Sequence, residues 1–105
     1  MEEKQSYQLK INNNDELLCP VCGFHFIHHG RIEIFNRAKE DAHSGICAKI
    51  DEISCLVGTS MEGNPSNRRN GIRINLEGEC GHKFDIIISQ HKGQTLIYID
   101  IPKSP

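Results

Sequence analysis

The run Leu18-Cys19-Pro20-Val21-Cys22-Gly23 constrains this chain more than any other stretch. Two thiols three positions apart reach one ion only if the backbone folds into a tight knuckle. Pro20 presets φ for that turn, and Gly23 can take the positive φ that leads the chain back out. Backbone N–H groups in such a knuckle point at the sulfurs and, together with a cation, favour thiolate over thiol. A redox pair can have the same spacing but sits between a strand and a helix. Here a polar turn precedes the pair and strand-like sequence follows it, so Cys19 and Cys22 read as ligands of a structural zinc ion.

The partner knuckle is Glu79-Cys80-Gly81-His82-Lys83-Phe84, separated from Cys22 by 57 residues. A structural zinc takes four ligands in a tetrahedron. Cys80, in a Gly-flanked turn between two strand patterns, is the third. For the fourth, His82 would complete a Cys-x-His knuckle. Glu77 stands three before Cys80, where a Cys-x-x-Cys knuckle carries its first cysteine, and carboxylates are less common in structural sites. His28 or His29 could fold back from the first half. Three cysteines and a nitrogen leave no open position, which favours a structural role over catalysis. Cys47 and Cys55 lie in apolar surroundings and are expected to pack as small hydrophobes.

The weight of such a site depends on the core. In 105 residues, 37% are hydrophobic and 6% aromatic, with no Trp. That is a thin core for one domain spanning 1–105, in which residues 1–6 are expected to fray. Twelve basic residues against fourteen acidic ones give a net charge of −2. This excludes a nonspecific polycation and leaves room for a local basic patch. The start Met1-Glu2-Glu3-Lys4-Gln5 lacks an apolar signal segment, and no apolar run is long enough to span a membrane. The expectation is a soluble, cytoplasmic protein, whose five cysteines point to ligands and free thiols rather than a disulfide framework.

Alternation at Tyr7, Leu9 and Ile11 predicts a short strand, and Asn12-Asn13-Asn14-Asp15 predicts a turn. Around His28-His29-Gly30 and Arg31-Ile32-Glu33-Ile34-Phe35, a ribbon turning at Gly30 and one long bent strand fit equally. Asn36 to Gly45 reads as a surface loop with at most a short helix. Residues 46–57 fit a helical stripe as well as alternation, and β-branched content favours two strands about Asp51-Glu52. A long polar connection, Gly58 to Gly71, precedes the strand Ile72–Leu76. Ile86-Ile87-Ile88 and Thr95–Ile101, about His91-Lys92-Gly93-Gln94, form a hairpin, with Pro102 and Pro105 ending the last strand.

Cys19-Pro20-Val21-Cys22-Gly23 and Cys80-Gly81-His82 resemble the two halves of a zinc-ribbon domain, in which β-knuckles from separate hairpins clamp one metal. With His28-His29-Gly30, Asn64-Pro65-Ser66-Asn67-Arg68-Arg69 and His91-Lys92-Gly93-Gln94-Thr95, the chain also resembles small uncharacterised zinc-ribbon-like proteins of bacteria and their phages or plasmids. The resemblance implies a metal and a source but no activity. It implies a mainly β, zinc-ribbon-like antiparallel sheet with a long inserted middle segment. The chain departs from the four-cysteine ribbon at Glu77.

The function expected from these residues is a non-enzymatic binding module. Arg68, Arg69 and Arg73, with Lys83 and Lys92 nearby, are the candidate partner-binding residues, facing nucleic acid or an acidic protein. Scarce aromatics disfavour single-strand recognition by stacking. One rival is a metal-dependent hydrolase with an open zinc position and Glu77 or Glu79 as base. His25, His28, His29, His43 and His91 would be its further acid–base groups, although no hydrolase spacing is present. Another rival is an oligomerising structural protein joined at edge strands such as residues 95–101. No catalytic residue, membrane contact or small-molecule substrate is assigned.

Overall fold

The computed structural model describes residues 7–101, so the expectations for residues 1–6 and for Pro102 and Pro105 lie outside it. Eight strands form: β1 Lys10–Ile11, β2 Leu17–Leu18, β3 Ile27–Arg37, β4 Ser44–Ile50, β5 Cys55–Ser60, β6 Gly71–Gly78, β7 Lys83–His91 and β8 Gln94–Asp100. β1 and β2 make a small antiparallel ribbon. The other six form one antiparallel sheet in the order β5-β4-β3-β6-β7-β8. No helix occurs among the described residues; of the polar segment 36–45 only 38–43 is loop, its ends extending β3 and β4 as paired strand, and residues 46–57 are strands about a turn. No helix of the described chain is long and apolar enough to cross a membrane.

The local chemistry accounts for these elements. Asn12 Oδ1 accepts from the N–H groups of Asn14 and Glu16, folding the turn between β1 and β2, where Asp15 takes φ 63°. The sequence pattern placed the first strand too early, and pairing confines β1 to two residues. Gly30 does not reverse the chain. β3 runs on as one long strand, and its pairing with β6 slips between His29 and Ile32, a bulge that bends the strand. Lys92 and Gly93, both at positive φ, close the two-residue turn of the β7–β8 hairpin.

Asp51 sets the β4–β5 turn by accepting at Oδ1 from Ile53 N, Ser54 N and Ser54 Oγ. The Ile53 N–H, with those of Ser54, holds its carboxyl below the usual range. A lowered folded pKa stabilises the fold above the unfolded value and loses that contribution as pH falls through the lowered one. Asp51→Ala should therefore destabilise the chain at pH 7 by loosening this turn. Denaturant melts of the two proteins should converge as pH falls through the lowered Asp51 value.

Register sorts the side chains into two unlike faces. One face carries two rows running right across the sheet, Cys55–Ile50–Ile32–Ile74–Ile86–Ile99 and Val57–Ala48–Ile34–Ile72–Ile88–Ile97. On the other face lie the rows Gly58–Cys47–Phe35–Gly71–Ser89–Leu96 and Leu56–Lys49–Glu33–Arg73–Ile87–Tyr98. Phe35, Cys47 and Ile87 on this second face are buried. The loop 61–70 folds over it: Gly63 approaches Phe35, Pro65 crowds Gly71, and Ser66 Oγ donates to Gln90 O. Cys55, expected to pack, is exposed on edge strand β5, whereas Cys47 is buried.

Candidate metal centre

The antiparallel pairing of β3 with β6 brings the two knuckles together. Ile27 lies opposite Gly78, so the chain leaving the first knuckle meets the chain entering the second. Glu79 N donates to Phe26 O at 3.0 Å, tying the two segments directly. The 57-residue separation is thus taken up by β3, the β4–β5 hairpin, the 61–70 loop and β6, and the hairpin pairs on the edge of β3 away from the site. Each knuckle closes on its own backbone. Gly23 N donates to Cys19 O and Cys19 N to Phe24 O, both at 2.8 Å, while Gly81 N donates to Gly78 O and Gly78 N to His82 O, both at 2.9 Å. Gly23 and Gly81 take φ of 80° and 94° to leave these turns, a conformation that a Cβ disfavours.

The ligand atoms of Cys19, Cys22, Cys80 and His82 all lie within 4.8 Å of one another, an arrangement that can hold a metal ion. His82 Nδ1 is 3.5 Å from Cys19 Sγ and 3.4 Å from Cys80 Sγ. Metal–sulfur bonds of about 2.3 Å and metal–nitrogen bonds of about 2.0–2.1 Å put sulfur and nitrogen about 3.5 Å apart at two corners of a tetrahedron. The two sulfur–nitrogen separations therefore match corners of a four-coordinate site. Cys19 is fully buried, Cys22 is exposed, and His82 is half-buried.

The thiols respond unequally to this environment. Burial pushes the Cys19 thiol up, but the N–H groups of Cys22 and Val21 and the thiols of Cys22 and Cys80 outweigh it, leaving Cys19 lowered to about 7. For Cys22 the N–H of Phe24 pulls down, yet burial and the neighbouring sulfurs prevail and its thiol is raised. The protein's own dipoles thus favour one thiolate and resist a second. A cation at the centre removes that conflict, because coordination deprotonates thiols outright.

Gly78 makes room for the site. A Cβ there would stand 2.6 Å from Cys80 Sγ and 3.3 Å from Ile27 Cδ1. Gly78→Ala should displace the sulfur and weaken metal affinity by roughly tenfold to a hundredfold, the range seen when a ligand's support is lost. Competition with a chromogenic chelator measures it. Gly78 stood unremarked in the sequence, and only its position between Glu77 and the second knuckle hinted at the role.

The other residues singled out by sequence lie elsewhere. Glu77 pairs across strands with His28 and Lys83, and His29 lies opposite Leu76. His28 Nε2 meets Glu79 Oε2 at 2.8 Å. These four residues line an open cleft of about 640 Å³ with Asp51 and Glu52, outside the four-residue cluster. The arginines are engaged within the chain. Arg68 forks onto Asp41 at 2.8 and 3.1 Å and also meets Glu40. Arg69 meets Glu40 at 3.0 Å, and Arg73 bridges Asp85 at 2.7 Å and Asp100 at 3.0 Å. The Arg68 guanidinium holds the Asp41 carboxyl below its ordinary value.

Fold and site together define a small all-β metal-binding domain. Comparison of the chain with protein-family models, curated proteins and solved structures gives no match, so its function rests on the site itself.

Proposed function

We propose that Cys19, Cys22, Cys80 and His82 hold one structural zinc ion, and that the domain is a zinc-stabilised β scaffold serving as a binding module rather than an enzyme. The carrying observation is the convergence of three thiols and one imidazole, drawn from both ends of the chain, within 4.8 Å of one another. Soft thiolates with imidazole suit zinc over magnesium or calcium, which take oxygen ligands. The ion would neutralise the thiolates and pin the knuckles, and a complete Cys₃His set leaves no position for a substrate or an activated water.

Cobalt(II) substitution tests the ligand set. The native chain should show the intense absorption of tetrahedral thiolate-bound cobalt. His82→Ala should weaken binding and alter the band pattern, while Glu77→Ala and His28→Ala should leave both unchanged. Loss of binding in Glu77→Ala or His28→Ala, with His82→Ala silent, would reassign the fourth ligand.

A nucleic-acid role for the Arg68–Arg69 loop would require phosphate to displace Glu40 and Asp41 from their arginines. A steep loss of affinity with added salt would mark phosphate contacts of that kind.

A further inference from the structure

The face of the sheet carrying the two aliphatic rows is the unusual feature of this molecule. All twelve positions are apolar, yet none is buried: nine are half-buried, and Cys55, Val57 and Ile97 are exposed. Beyond these twelve, the aliphatic face is buried at Leu76 and Phe84, the pair next to Ile74 and Ile86, and the opposite face is buried beneath the 61–70 loop and around the Arg73–Asp85 ion pair. Substantial contacts between strands run only between sheet neighbours, so no other strand among the described residues packs over the rows. A sheet with one apolar face ordinarily buries it against another layer.

We infer that a second copy of this chain supplies that layer, the two aliphatic faces packing across a two-fold axis as a β-sandwich. The surface is free of charge and nearly uniform in side chain, so it is complementary to itself, as an isologous interface requires. Twelve side chains of this exposure present on the order of 600 Å² per copy. A face-to-face pair would bury on the order of 1,200 Å², at the lower edge of the range for stable interfaces. A patch of that size on a lone monomer is already at the upper end of what such proteins expose. The inference concerns the face of the sheet and is independent of the metal assignment.

Sedimentation analysis of the metal-loaded chain tests it, with substitutions chosen at exposed edge positions so that folding is spared. The 11.9 kDa chain should sediment as a dimer of about twice that mass. Val57→Lys and Ile97→Lys lie on the aliphatic face. Each should weaken association by roughly a hundredfold or more, since symmetry places two charges in the interface. Leu56→Lys and Tyr98→Lys, one position along on the opposite face, should leave the dimer intact. A monomeric native chain would overturn the inference, and so would a dimer indifferent to the first pair. Dissociation by both β8 substitutions and neither β5 substitution would assign edge-to-edge pairing and equally overturn it. Circular dichroism of each variant guards against misfolding, and Ile97→Ala, a milder truncation, should still weaken association measurably.

Discussion

Cys19→Ser is expected to unfold the chain rather than merely loosen it. Cys19 is fully shielded from solvent at the junction of the knuckles, in a chain with only six buried hydrophobic residues among those described. A structural zinc contributes an apparent ~10–16 kcal/mol in small peptides, whereas a domain of this size is stable by only ~5–15 kcal/mol in total. With the proposed zinc in place, loss of the ion removes as much free energy as the fold holds. Far-UV circular dichroism should show lost strand signal and no cooperative melt, and added zinc should not restore it. Chelating the native chain should produce the same state, with zinc restoring it. Cys47→Ser provides the contrast. That thiol is buried but lies outside the cluster, so its substitution should cost about 1–3 kcal/mol and leave metal binding intact.

Arg37→Ala should be the most damaging change away from the metal. The Arg37 guanidinium donates to three backbone carbonyls: Arg69 O at 3.0 Å, Ser66 O at 2.8 Å, and Ala42 O. It thus fastens the 38–43 and 61–70 loops to β3 at once, and the second of these loops covers Phe35. Hydrogen bonds to a charged donor contribute about 1.5–3 kcal/mol each, and part-buried carbonyls left without a partner add a penalty. Because the three bonds act as a unit, a loss of about 3–5 kcal/mol is expected rather than their sum. That lowers the melting midpoint by well over about 10 °C. Arg37→Lys should recover little, since a single ammonium cannot reproduce the planar fork. Zinc stoichiometry should be unchanged in both variants, separating this effect from loss of the site.

The four clustered residues stood out in the sequence because local turn chemistry marks them. The Cys-Pro-x-Cys-Gly run specifies a knuckle by its own turn residues, and Cys80-Gly81-His82 nearly does so. The β7–β8 hairpin was equally plain, since Lys92-Gly93 sits between alternating apolar runs. What escaped the sequence depends on pairing at long range. The slip between His29 and Ile32 reflects how β3 meets β6, and no property of Gly30 alone chose it over a reversal. Cys55 looked like core because its neighbours are apolar, but the sheet placed β5 at an edge. Arg37 passed unremarked within a segment that reads as a surface loop, and Arg68 and Arg69 read as partner-binding cations. Only the fold shows that the first is a fastening within the chain and that the others already have carboxylate partners. The two aliphatic rows were likewise visible as separate strands, but their continuity across six strands appears only once register is known.

X-ray absorption at the zinc edge of the native protein is the most direct test. Three sulfurs at about 2.3 Å and one nitrogen at about 2.0–2.1 Å, at one zinc per chain, are the expected result. A metal-free chain that still melts cooperatively would contradict the account, as would a bound zinc whose shell holds oxygen in place of the imidazole.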